Sequence, residues 1–265
     1  MLDALARTAV PTLAFVVLAA VALWVVSLLR RDASVADPAW GPGFAGVAGA
    51  AALAARPLDA RGVLVLVLVV AWALRLGVHL LGRNLSHGED PRYAAMRASW
   101  GPRFAWVSLF TVFLLQGALL WIVSLPLQAA IGRANGGGAL GPWDALGAAL
   151  VVTGATLEAV ADAQLRAFRR DPESRGRVLD TGVWAWSRHP NYFGDALMWW
   201  GFGCIALATG AWAALAGPLL MNVLLVRVSG VAMLERDIAE RRPEYRAYIA
   251  RTPAFVPWPP RHRTR

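Results

Sequence analysis

Apolar residues fall in long uninterrupted runs, and polar residues fall in clumps between them. Runs of about 20 residues, the length that crosses a bilayer as a helix, occupy roughly 9–29, 62–82, 104–126 and 143–161. A weaker Gly/Ala-rich run covers 42–55, and two more, at roughly 191–208 and 211–229, flank the turn-like Thr209-Gly210. The pattern predicts an all-α, polytopic membrane helix bundle of about seven transmembrane helices. The first run is too long for the apolar core of a signal peptide, and no small-residue cleavage site follows it.

Composition agrees. Hydrophobic residues make up 57% of the 265 and charged residues 16%. So apolar a chain is not disordered, and soluble domains carry about a quarter charged residues. The single Cys204 excludes a disulfide scaffold.

Net charge is +9 from 26 basic residues, all of them Arg. With the N-terminus outside, the inside segments 30–39, 83–103, 162–190 and the tail from Arg227 hold two, four, six and nine Arg, 21 in all. The outside holds Arg7, Arg56, Arg61 and Arg133, and Arg75 lies within a span. This asymmetry predicts a cytoplasmic C-terminus. It also explains the positive charge without nucleic acid, for which no reading module is present. No repeat or linker divides the chain, so one domain, 1–265, is expected, with 136–138 (Gly-Gly-Gly) in an outer loop.

Chemistry concentrates between 158 and 195. Glu158 and Asp162, four apart, share a helix face that continues to Arg166 and Arg169. Ion pairing at a helix end explains part of this. An ionisable group inside the apolar slab costs about 2.5–3.5 kcal/mol on insertion scales and usually faces a cavity. Further on, a loop feeds a helix that starts at Pro190, whose missing N–H is no loss in a first turn. Free amides, the helix dipole and Arg188 would attract an anion there. Asn191 and Asp195, four apart, point the same way. A phosphate-bearing cofactor with amide and hydroxyl groups would use such a set. Trp184, Trp186 and Tyr192 also suit an interfacial aromatic belt.

The run Arg188-His189-Pro190-Asn191-Tyr192-Phe193-Gly194-Asp195, preceded by Leu179-Asp180-Thr181-Gly182-Val183-Trp184, resembles the signature of the membrane steroid 5-alpha-reductase / C14-sterol-reductase superfamily. More narrowly, the chain resembles a bacterial steroid-reductase-like branch of unknown function. Asp37-Pro38-Ala39-Trp40-Gly41, Arg75-Leu76-Gly77-Val78-His79, Gly88-Glu89-Asp90-Pro91-Arg92-Tyr93, Gln164-Leu165-Arg166, Arg246-Ala247-Tyr248 and Phe255-Val256-Pro257 are similar to it as well. Arg-His-Pro-x-Tyr by itself is shared with isoprenylcysteine-type membrane methyltransferases.

The resemblance implies an NADPH-dependent oxidoreductase that transfers a hydride to an activated C=C bond of a steroid- or isoprenoid-like lipid. It implies a bacterial inner membrane setting, a cytoplasmic cofactor half (about 143–265) and a substrate half (about 9–130). Asp162, Arg166, Arg169, Asn191 and Asp195 fall on cofactor-contacting positions. Trp186, Arg188, His189 and Tyr192 belong to the same motif, and Glu235, Arg246 and Tyr248 lie where the family closes over the cofactor. The substrate half departs from the pattern. The family polarises its substrate with a Gln-Glu pair and a Tyr. This chain has no such pair, and Leu80 stands at the Tyr position. Asp37, His79 and Tyr93 are the expected proton donors.

His79, His87, His189, His262 and Cys204 have no metal-ligand spacing. Gly41-Pro42-Gly43 follows no strand and is not a dinucleotide fingerprint. Two other classes remain as alternatives: an S-adenosylmethionine-dependent membrane methyltransferase, and a non-enzymatic lipid-binding membrane protein.

Overall fold

The computed structural model describes residues 2–84, 88–132, 139–228, 230–235, 238–241 and 243–260, with side chains for all of these but 2–5, 79–84, 239 and 241. Every regular element among the described residues is helical. Among the described residues, five helical stretches are long and apolar enough to cross a membrane: Ala6–Arg30, Ala60–Val78, Pro91–Val123, Pro142–Arg170 and Trp212–Glu235. They make this an integral membrane protein. Two runs of the sequence pattern fall outside that set, for different reasons. The helix at Trp40–Ala54 has 15 residues, about 22 Å at 1.5 Å per residue, short of a roughly 30 Å core. The helix at Pro190–Leu207 has 18 residues, but Asn191 and Asp195 occupy its first two turns.

The chain forms two compact units, residues 1–145 with 204–217 and residues 146–203 with 218–265. In the first, α1 (Leu2–Arg30), α2 (Trp40–Ala54) and α3 (Ala60–Asn84) lie side by side with α2 in the middle. Helices α4 (Pro91–Trp100), α5 (Phe104–Ser108) and α6 (Leu115–Val123) follow, with a π-helical segment, Leu109–Leu114, between α5 and α6. Short α7 (Leu125–Gly132) packs on α1, α2 and α3 and buries every residue from Pro126 to Gly132.

The hydrophobic effect does not drive helices together in lipid, so close packing and polar ties hold them. Gln128, wholly buried, accepts from the Thr12 hydroxyl at 2.9 Å and donates to the Ser124 hydroxyl at 3.0 Å, while the Trp121 indole donates to Thr12 at 3.0 Å. Arg61 meets Asp144 bidentately at 2.6 and 2.9 Å, both buried.

In the second unit, α8 (Pro142–Arg170, from residue 146) runs against α9 (Pro190–Leu207, to residue 203). Contact is backbone to backbone at two glycine pairs. A Cβ on Gly154 would lie 2.4 Å from the Gly194 oxygen, and one on Gly201 would lie 2.6 Å from the Gly147 oxygen. The pairs repeat every seven residues on both helices, the small-residue seam that lets membrane helices approach. The last span passes through α10 (Ala216–Val223) and a second π segment, Leu224–Val228, to α11 (Val231–Glu235). Short α12 (Ile238–Arg241) and α13 (Glu244–Arg251) follow.

Candidate functional site

In the first unit, two capped turns brace each other. Asp32 caps the 3-10 helix Ala33–Ala39 by accepting from the Ser34 N–H at 2.8 Å. Asp90 caps α4 by accepting from the Arg92 N–H at 2.9 Å, with Pro91 in the first turn. The two turns are then cross-linked. The Ala33 N–H donates to Glu89 at 2.8 Å, and the Asp90 N–H donates to the Ser34 hydroxyl at 2.7 Å. Glu89 is also held by Arg97 at 2.7 and 2.9 Å. The Arg97 hydrogen bond, helped by the Ala33 amide and opposed by burial, holds Glu89 below the usual carboxylate range.

This bracing brings Asp37 and Tyr93 together. The Tyr93 hydroxyl donates to Asp37 Oδ1 at 2.6 Å, and Arg92 donates to Asp37 Oδ2 at 2.8 Å. The chain of bonds continues inward. Gln116 Nε2 donates to the Tyr93 oxygen at 3.0 Å, and the Trp40 indole donates to Gln116 Oε1 at 2.7 Å. Tyr93 is 7% exposed and sits in an apolar cluster with Phe104, Val112 and Phe113.

In the second unit, the signature loop is stitched to the end of the chain. Gly182, at φ +60°, starts a short 3-10 helix, and the Val183 N–H donates to Gln164 Oε1 of α8 at 3.1 Å. A Cβ on Gly182 would strike that Gln164 side chain. The Trp184 indole donates to the Ala161 carbonyl at 3.1 Å. The Tyr248 hydroxyl donates to the Trp184 carbonyl. The Ser187 hydroxyl donates to the Phe255 carbonyl at 2.8 Å, the Arg188 N–H to Pro253 at 2.9 Å, and the Trp258 N–H to Trp186 at 2.9 Å. Arg251 pairs with Asp180.

Arg188 is 8% exposed and fully engaged. It meets Glu235 bidentately, both bonds 2.7 Å, and donates to the Thr252 and Ile249 carbonyls. His189 Nε2 lies 2.9 Å from the same Glu235, and its ring stacks on Tyr192. Burial, together with the Glu235 charge and opposed by Arg188, pushes the Tyr245 phenol up to about 12. Burial, the largest cause, also raises Tyr248.

A second polar group lies on α8 and α9. Glu158 and Asp162 are 6% and 7% exposed. Asn191 Nδ2 donates to Asp162 Oδ1 at 3.3 Å, and Asp195, half-buried, lies one turn further along α9. Arg166 and Arg169, one and two turns beyond Asp162, are exposed.

The structure thus brings Asp37 to Tyr93, Asp162 to Asn191, and Arg188, His189 and Glu235 to one another. The His79 side chain lies outside the described residues. Trp186 and Arg246 are exposed. Arg188, expected to face a phosphate, is spent on Glu235. Gln116 and Trp40 escaped the sequence reading as members of the Tyr93 network. A lone Gln within an apolar run was the available signal for the first. Gln164 was legible only as part of the family resemblance.

Fold and site together define an all-helical, polytopic membrane protein with buried polar clusters in each unit. The chain belongs to the family described as Protein of unknown function (DUF1295), whose model matches residues 23–252. No curated protein and no solved structure matches the chain.

Proposed function

We propose that this protein is an NADPH-dependent membrane reductase that acts on an activated C=C bond of an apolar, steroid- or isoprenoid-like lipid. The observation that carries the reading is the buried polar group on α8 and α9: Glu158 and Asp162 inside a membrane-length helix, with Asn191 on Asp162. A helix that served only as an anchor would not keep two buried carboxylates there. The family is associated with steroid 5-alpha-reductase-like proteins, which supports the same reading. The arginine asymmetry supports a seven-span bundle with the cofactor side and C-terminus in the cytoplasm, and the resemblance supports a bacterial inner membrane as its setting.

The donor set fits a dinucleotide. Exposed Arg166, Arg169 and Arg246 would hold phosphates, while Arg188 is committed to Glu235. Asn191 offers a donor and an acceptor to a carboxamide, and Asp162 and Asp195 would accept from hydroxyl or amide groups. When bound, the nicotinamide supplies the hydride. The balancing proton comes from the protein. Tyr93, in the first unit, is the candidate donor; its hydroxyl proton is directed at Asp37, so donation would draw on the proton that the Tyr93–Asp37 pair shares.

The methyltransferase alternative has one observation in its favour: Glu235 joins Arg188 and His189, the part of the motif the two families share. One experiment separates the readings. The purified protein is titrated separately with NADPH and S-adenosylmethionine while its thermal midpoint is followed. A ligand that binds the folded state raises the midpoint by mass action. NADPH should stabilise, and Asn191→Ala and Asp195→Ala should remove that response while the ligand-free protein, at a somewhat lower midpoint, still unfolds cooperatively. Stabilisation by S-adenosylmethionine alone would sink the reductase reading, and no response to either favours a lipid-binding protein.

A further inference from the structure

A narrow cleft opens in the first unit between α1, α2 and α6. Phe15, Val16, Leu23, Trp40, Phe113 and Gln116 line it with small residues between them. Gly43 and Gly117 belong to the lining, and at both positions a Cβ would come within 3.0 Å of a neighbouring side chain, 2.6 Å from Leu120 in the first case and 3.0 Å from Val16 in the second. The cleft is about 50 Å³, more than the roughly 10–15 Å³ that one water needs. It therefore takes the end of a ligand, a few heavy atoms, not a whole lipid. Every other lining side chain is apolar; only Trp40 and Gln116 carry a polar atom.

The hydrogen bonds around Gln116 fix which polar atom the cleft can use. An indole N–H only donates, so the Gln116 oxygen must face Trp40. That puts Nε2 toward Tyr93, whose oxygen accepts because its own proton is directed at Asp37. One N–H of the Gln116 amide is used in this way. The other has no acceptor among the described residues. Trp40 has spent its only donor, and Tyr93 is not part of the lining. The π segment Leu109–Leu114 ends two residues before Gln116, and such bulges in α-helices are frequent at functional sites.

We infer that Gln116 is the recognition donor of this cleft. Trp40 and Tyr93 lock it so that its remaining N–H binds a hydrogen-bond acceptor, a carbonyl or similar oxygen, at the end of an apolar molecule. The inference rests on reading this region as the substrate half and adds the group that selects the substrate. Gln116 is a contact residue; Trp40 is a positioning residue that acts through it.

The test uses binding without any nicotinamide. The full chain in lipid nanodiscs is titrated with 3-nonen-2-one, carbonyl-labelled with carbon-13, and with the hydrocarbon 2-nonene. The enone should bind about five- to tenfold more tightly than its hydrocarbon, the size of one hydrogen bond. Its carbonyl stretch should move to lower frequency on binding. Gln116→Leu should abolish both the preference and the shift while 2-nonene binding is kept. Trp40→Phe, which frees the amide to turn, should weaken both and serves as the second variant if Gln116→Leu does not fold. No enone preference in the wild type, or an unchanged preference and carbonyl shift in the folded variants, overturns the inference. A normal enone preference with no NADPH response would sink the reductase reading and leave this one standing.

Discussion

Arg188 and Glu235, 47 residues apart, form a bidentate ion pair with both bonds at 2.7 Å. The pair ties the loop before α9 to the end of the last span, and it removes from the cofactor-binding set the arginine that the signature motif nominates first.

Loss of this pair should be costly from the acidic side. Glu235→Ala leaves the Arg188 guanidinium 8% exposed with only backbone carbonyls for company. Removing one partner of a buried pair costs about 3–5 kcal/mol, and the surviving carbonyl bonds place this variant near the lower end. Thermal or denaturant unfolding should show that loss. A double variant, Arg188→Met with Glu235→Leu, should recover part of it, because no lone charge remains. Equal losses for the single and double variants would show that the pair's charge balance is not what matters.

Acid should loosen the brace between the 3-10 helix and α4. Arg97, then the Ala33 amide, lowers the Glu89 pKa against opposing burial. As pH falls, the unfolded chain therefore takes up this proton before the folded protein does. The contribution is complete above the ordinary value of 4.5 and disappears as pH drops below it through the lower folded value. Unfolding measured between about pH 6 and 3 should fall off less steeply in Glu89→Gln than in the wild type. A steeper or identical acid limb would contradict the assignment.

The seam between α8 and α9 tolerates no side chain. A Cβ on Gly194 would sit 2.6 Å from the Gly154 oxygen and 2.7 Å from the Glu158 nitrogen, both backbone. Gly194→Ala should therefore cost about 1–3 kcal/mol, the range for overpacking, and should disturb Glu158. Gly49→Ala is the control: nothing lies within 4 Å of the added atom. In a helix that change should be neutral or stabilising by roughly 0.5–1 kcal/mol.

Tyr93→Phe should separate proton donation from binding. The ring stays in its apolar cluster, while Asp37 and Gln116 lose the hydroxyl between them. If Tyr93 supplies the proton, kcat should fall by about 10²–10⁴, the usual contribution of a general acid, with the NADPH-induced rise in thermal midpoint unchanged. A fall in NADPH response with no fall in kcat would place Tyr93 elsewhere in the mechanism.

Helical class and membrane residence were legible in the runs of apolar residues, because lipid forces every backbone group into internal hydrogen bonds. The glycines of the seam were visible only as composition. Their role depends on two backbones meeting at one place, which spacing along one helix does not show. Asp90-Pro91 carries the cap-and-proline pattern of a helix start, and α4 begins there. That the same turn also grips Ser34 and Ala33, and so carries Tyr93 to Asp37, was not legible.

The amino-acid sequence by itself determined that this chain is an apolar helical bundle, which of its few polar residues sit at a cost inside that bundle, and which family it belongs to. Tertiary structure decided what those residues do to one another. Local pattern reports burial and helix face, both properties of single segments. Whether Arg188 faces a ligand or Glu235, and whether Gln116 aims an N–H into a cleft, depends on groups dozens of residues away competing for the same hydrogen-bonding atom. That competition is settled only when the helices are packed.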